Sequence, residues 1–183
     1  MVAGRRIATM LIFCSFCVLA ACVSRSIYFD SLRPVPPTDS SRSSITDVSS
    51  GVRGGVSLPH RNLIRVDFTS GTDLRDMVVL AGNILSVHCY FCDRGEDVAE
   101  LGGPGVYVDL TDAGKEKLVK KFLFLLDVSR KASPGSTGFD LSAYPEDICF
   151  YVTARGVTTT YKSNVERIPK TAIEQVFIGW DLR

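Results

Sequence analysis

The sequence predicts an α+β fold, a mostly antiparallel sheet with two helices on one face. Three observations carry this expectation. Alternating apolar and polar residues recur in short stretches at 63–68, 84–91, 106–110 and 148–153. Two other stretches, 73–81 and 111–131, carry apolar residues at helical spacing. Their order along the chain is strand, helix, strand, strand, helix, strand.

The first strand rests on Leu63, Ile64, Val66 and Phe68, with Arg65 and Asp67 on the opposite face, and Ser70-Gly71-Thr72 breaks it. Leu74, Met77, Val78, Ala81 and Leu85 then repeat at helical spacing. Thr72 or Asp73 serves as N-cap and Gly82 sits where such a helix stops, so the predicted helix covers Asp73 to Ala81. From Ile84 to Phe91 a second strand places Leu85, Val87, Cys89 and Phe91 on one face and Ser86, His88 and Tyr90 on the other. The charged run Asp93 to Asp97 ends it. A Gly-Gly-Pro-Gly turn at Gly102 to Gly105 leads into a third strand, Val106 to Leu110.

The clearest helix in the sequence follows. Thr111 caps it, Asp112 and Glu116 favour the positive end of the macrodipole, and Leu118, Val119, Phe122, Leu123, Leu125 and Leu126 make a wide apolar face. Ser133-Pro134-Gly135 terminates it after Arg130 and Lys131. Ile148, Phe150 and Val152 alternate with Cys149, Tyr151 and Thr153 as the next strand. Arg155-Gly156 makes a turn, and Val157 to Lys162 suits a returning hairpin arm. Ile173 to Trp180 reads as a last strand or a short helix. This order matches the split βαβ, or ferredoxin-like, arrangement with one extra hairpin arm.

The run Gly105 to Leu118, a strand ending in Leu110-Thr111 and passing straight into a helix with Gly114 near its start, resembles a segment in the periplasmic head of the bacterial export subunit SecD. The strand Ile148 to Thr153 with Arg155-Gly156-Val157 is similar to that head's strand and turn. The resemblance covers about a third of the mature chain and implies a ferredoxin-like fold. It does not carry a role in export, since likeness of fold says little about function.

Ahead of this domain the chain divides at Leu19-Ala20-Ala21-Cys22. Arg5 and Arg6 precede an apolar run from Ile7 to Ala20 that is short for a membrane span and lacks a charged flank, which is the pattern of a signal peptide over residues 1–21. The ending resembles the lipobox of bacterial lipoproteins. That resemblance implies cleavage before Cys22, diacylation of its sulfur and acylation of the new amine, with the membrane as partner through this anchor. Several acyl chains hold a protein durably where one does not. Val23 stands where the family's inner-membrane retention aspartate would be, so the resemblance favours the outer membrane facing the periplasm.

From Val23 to about Leu58 serine, proline and glycine dominate, so residues 22–60 are expected to form an acylated, disordered tether, its roughly 35 residues from Val23 to Leu58 reaching roughly 115 Å at ~3.3 Å per residue. Within it, Ile27-Tyr28-Phe29 reads as a sticky patch in a disordered arm, with docking on the domain or dipping into lipid headgroups as the competing reading. Residues 61–183 then form a single domain.

The chain has 21 basic and 20 acidic residues, and loss of Arg5 and Arg6 with the signal leaves 19 basic. That balance argues against nucleic acid as a partner.

Of six cysteines, Cys14 and Cys17 leave with the signal, Cys22 takes lipid, and Cys89, Cys92 and Cys149 remain. An odd trio in an oxidising compartment favours a structural disulfide within it. If the strand runs through Cys92, the sulfurs of Cys89 and Cys92 point to opposite faces, which makes Cys149 a plausible partner for one of them. Redox catalysis through Cys89 and Cys92, and metal binding with His88, are the competing readings. Zinc is disfavoured with two histidines in all, one of them His60 at the tether's end. No catalytic triad is nominated and no cofactor is expected. Asp109, Asp112, Glu146 and Asp147 look like caps and turn residues. Gly102 to Gly105 lacks the context of a phosphate loop. The expected function is a non-enzymatic accessory or adaptor binding an envelope protein or component. A thiol-disulfide redox protein and an immunity factor against a toxin are the alternatives.

Overall fold

The computed structural model describes residues 26–36, 45–49, 62–96, 101, 105–109, 120–130, 139–157, 160–178 and 180. Its class is α+β and mostly antiparallel. One sheet has the order β1-β3-β6-β5-β2, formed by β1 (Ile27–Val35), β2 (Ile45–Asp47), β3 (Leu63–Ser70), β5 (Tyr107–Asp109) and β6 (Lys121–Asp127). In the other, β9 (Ile148–Arg155) pairs with β4 (Ile84–Phe91) on one edge and with β10 (Thr160–Lys162) and β11 (Glu166–Ile168) on the other. A small hairpin joins β7 (Ser129–Arg130) to β8 (Phe139–Asp140). Two helices are described, α1 (Leu74–Val79) and α2 (Lys170–Phe177).

The two sheets face each other across one core. Alternation along β3 and β6 sends Ile64, Val66, Phe68, Phe122, Phe124 and Leu126 inward, where they meet Leu85, Val87, Cys89, Ile148, Phe150 and Val152 of the second sheet. Phe150 is the junction, its ring centroid 5.0 Å from Phe124 and 5.9 Å from Phe68. The outer face of the first sheet is buried as well, around Val35, Ile45, Leu63, Leu123 and Leu125.

Lys121–Asp127 therefore corrects the expected second helix. Phe122 to Leu126 are all buried because β6 lies between two apolar layers, and a strand covered on both faces reads as a continuous apolar run. Thr111 to Val119, the rest of that expected helix, lie outside the described residues. With a strand there and the strands divided between two sheets, the ferredoxin-like arrangement is not confirmed.

The expected tether needs correction too. Ile27–Val35 forms an edge strand antiparallel to β3 from Ile27 opposite Ser70 to Val35 opposite Leu63, and Ile45–Asp47 pairs with β5. Ile27, Val35 and Ile45 are buried. Pro34 is tolerated because an edge strand leaves one row of backbone groups out of the ladder. Tyr28 and Phe29 thus belong to a strand rather than to a loose arm.

α1, β4 and β9 follow the sequence closely, whereas β7, β8 and β11 have no counterpart among the expected elements. Asp73 caps α1 by accepting the Arg75 N–H at 3.0 Å. Gly82, at φ 63°, returns its N–H to the Val78 carbonyl. The helix Lys170–Phe177 begins three residues before the stretch Ile173 to Trp180 that the sequence left open between strand and helix, and covers its first five residues. The Asp147 carboxylate accepts the Lys170 N–H at the start of α2.

Candidate functional site

The outward face of the second sheet gathers polar and aromatic side chains from three strands and one loop. The register sets His88 opposite Tyr151 and Ser86 opposite Thr153, so period-two alternation puts all four, with Tyr90, away from the core. The His88 ring stacks on Tyr151 at 4.7 Å and 8°, and its Nε2 lies 3.0 Å from Thr153 Oγ1. Tyr90 meets Tyr151 edge-on at 6.5 Å. From β10, Lys162 holds Nζ 3.9 Å above the Tyr151 ring. The same ammonium ion-pairs with Glu96 at 3.0 and 3.2 Å, and the Tyr151 hydroxyl donates to Glu96.

This arrangement fixes the loop that follows β4. After Phe91 the chain makes a 3-10 turn, Cys92–Arg94, and Gly95 at φ 75° swings Glu96 back over the sheet. The Tyr151 hydrogen bond, with Lys162 second, holds the Glu96 carboxyl below the ordinary carboxylate range. Burial, with the Glu96 charge second, pushes the Tyr90 phenol up.

Glu96 is exposed, so the latch is modest and sensitive to solvent. Its sign is nonetheless defined. A carboxyl whose pKa is depressed on folding stabilises above its unfolded value, near 4.5, and that contribution disappears as pH falls through the folded value. Urea melts of the wild type and Glu96→Gln should therefore differ at neutral pH and converge in acid. A gap that does not change with pH would contradict the latch.

The cysteine trio resolves into a pair and a core residue. Cys92 and Cys149 form a disulfide with Cα atoms 5.0 Å apart, tying the loop after β4 to β9. Cys89 is buried on the core face with Leu85, Val87 and Phe91. Glu146 pairs with Arg94, and Asp147 with Arg167, beside that disulfide.

The second polar grouping lies on the outer face of the first sheet. Arg65 contacts Asp67 through Nε at 2.7 Å and Asp109 through Nη1, while Arg33 reaches Asp67 at 3.7 Å and Asp109 at 3.5 Å. The Arg65 and Asp109 side chains are only 4% and 5% exposed. Burial alone would lower the Arg65 pKa, but the Asp109 hydrogen bond and the charge of Asp67 outweigh it and raise it. Asp109 is thus part of a buried ion network in β5, not the cap or turn residue expected from the sequence.

No family model, curated protein or solved structure matches the chain.

Cys22, His60, Asp112 and Gly102 to Pro104 lie outside the described residues. Among the described residues, no group of three or more His, Cys, Asp or Glu side chains is placed to hold a metal ion. Of the residues singled out in the sequence, the structure brings His88 into the patch of the second sheet and Cys92 to Cys149. It separates Cys89 from both. Tyr151, Lys162 and Glu96 were not selected from sequence. Glu96 is separated from Tyr151 and Lys162 by 55 and 66 residues. Alternation alone pointed there, by aligning Tyr151 and Thr153 with one face.

Chemically the patch is self-satisfied. The imidazole is held by Thr153 and Tyr151, and the carboxylate by a phenol and an ammonium. It offers a rigid surface whose half-exposed ends are Lys162 and Glu96. It does not align a nucleophile with a base and an orienting group.

Proposed function

We propose that this protein is a lipid-anchored lipoprotein of the bacterial envelope whose domain acts as a non-enzymatic accessory or adaptor, binding an envelope protein or component. The observation that carries it is Leu19-Ala20-Ala21-Cys22, directly after a basic start and an apolar run. Acylation of Cys22 would fix the domain to a membrane, and Val23 in place of the retention aspartate favours the outer membrane, facing the periplasm. A disulfide between Cys92 and Cys149 accords with an oxidising compartment. The patch around Tyr151, with buried Tyr90 and Tyr151 beneath the exposed Lys162 and Glu96, supplies a rigid polar surface for such a partner.

The redox alternative needs Cys89 and Cys92 to act together, yet Cys89 is in the core and Cys92 is bonded to Cys149. The experiment for the proposed reading has two arms. Wild-type protein should enter the detergent phase on phase partition of envelopes, and Cys22→Ser should not. Cross-linking in intact envelopes should then trap one envelope component with the wild type, and trap less of it with Lys162→Glu. Partition of both proteins into the aqueous phase would contradict the anchor.

A further inference from the structure

The anchor and the fold stand much closer together in the chain than a long tether implies. Strand β1 begins at Ile27, and five residue steps separate it from Cys22, about 17 Å of fully extended chain at ~3.4 Å each. Whatever lies at the Ile27 end of the domain is therefore held at the lipid surface. We infer that this end of the sandwich, carrying Val79, Leu80, Ile84 and Val157, docks on the bilayer that holds the Cys22 anchor. This rests on the lipoprotein reading above.

The strand register identifies what shares that end. Ile27 faces Ser70, and Thr69 faces Lys121, so β1 starts where β3 ends and β6 begins. The Ser26 carbonyl accepts the Gly71 N–H at 2.8 Å, and Lys120 Nζ donates to the Gly71 carbonyl. From Gly71 the chain passes through α1 to the start of β4, where Ile84 faces Arg155, the last residue of β9. One cross-link aligns the second sheet with the first at this end: the Asn164 side chain, just past β10, bonds both backbone groups of Ile27.

The surface gathered there suits a membrane of anionic lipids. Val79 of α1, its C-cap Leu80, Ile84 and Val157 are 75%, 80%, 60% and 104% exposed, whereas Leu74 and Val78 of α1 are buried in the core. Arg155 is exposed opposite Ile84, Lys121 is exposed at the start of β6, and Lys120 is half-buried. Asp73 is ion-paired with Arg75 at 2.9 Å, which leaves Asp76 as the exposed acid of α1. Apolar side chains among cations are the composition that settles into the boundary between headgroups and acyl chains, and proximity to an anionic leaflet favours the cations. A partner protein would be recognised elsewhere, and the patch around Tyr151 on the flank of the second sheet stays open to it.

The test uses the full-length lipidated protein in vesicles of phosphatidylethanolamine and phosphatidylglycerol, with brominated acyl chains as the quencher. In a Trp180→Phe background, Leu80→Trp reports on this end. Tyr144→Trp reports on the opposite end, where Tyr144 is 76% exposed. Insertion should quench the Leu80→Trp emission at least about twofold more than that of Tyr144→Trp, since settling ~5–10 Å deep brings a side chain to the acyl boundary. Val157→Trp is the second reporter should Leu80→Trp fail to fold. Equal quenching of the two ends, or none, overturns the inference. So does a blue shift of Leu80→Trp without quenching, which marks another protein molecule on that end. The mass of each preparation separates the two claims. Acylated protein without quenching removes this inference alone, whereas a bare Cys22 removes the anchor and this inference with it.

Discussion

Asp109→Ala should cost about 3–5 kcal/mol, because it leaves the Arg65 guanidinium buried without its closest carboxylate. The Arg65 side chain is 4% exposed, so water does not readily replace the lost partner, and Asp67 is left as the remaining carboxylate in contact with it. A loss of that size is a large part of the ~5–15 kcal/mol that holds an ordinary domain together. Urea denaturation should show a lowered midpoint with an unchanged slope. Removing both charges together with Arg65→Met and Asp109→Leu should restore most of the stability, since buried ion pairs commonly break even against apolar replacements. The network then acts chiefly as a specificity device. It links β1, β3 and β5 through Arg33, Arg65, Asp67 and Asp109, and a slipped register would leave a charge alone among Leu63, Leu123 and Leu125. A loss below about 1 kcal/mol for Asp109→Ala would show that the pair is solvated and the network unimportant.

Cys149→Ser should cost about 4 kcal/mol, the chain-entropy value for a loop closed across 57 residues. Cys92→Ser should cost the same, and the double variant no more than either, because both remove one bond. The disulfide joins the end of β4 to the start of β9, and the backbone there is already linked by the Cys92 N–H to the Asp147 carbonyl at 3.0 Å. The lost constraint therefore acts mainly on the unfolded chain, and the folded strands should stay paired. Cys89→Ser should behave differently. It places a hydroxyl in the apolar layer with Val87 and Phe91, a penalty of about 1–3 kcal/mol that should be insensitive to reductant. Denaturant melts with and without dithiothreitol distinguish these effects. A wild type whose midpoint does not move on reduction would contradict the constraint.

The sequence was legible where one face of an element is wet and unreadable where neither is. In β4, Leu85, Val87, Cys89 and Phe91 are buried and Ser86 and His88 are not, so alternation placed the strand at its observed limits. β6 has no such contrast. Phe122 to Leu126 are covered on both sides, and the spacing of Phe122, Leu125 and Leu126 fitted a helix as well as a strand. Composition misled at β1, where Ser31 and Pro34 suggested a disordered arm. Its order comes from pairing with β3, from Val35 opposite Leu63 to Ile27 opposite Ser70, which local composition does not record. Asp109 was unreadable for a related reason. At the end of a strand it looks like a cap, and only the fold brings it to Arg65, 44 residues away. Cys149 was legible as a disulfide partner because the odd trio left few choices, though not which of Cys89 and Cys92 it takes.

The measurement that bears most directly on the functional account is the mass of the first peptide of protein purified from its own membrane. That peptide should begin at Cys22 and carry a diacylglyceryl group on sulfur and an acyl group on the amine. A terminus that begins elsewhere, or a Cys22 with a bare thiol, would contradict it.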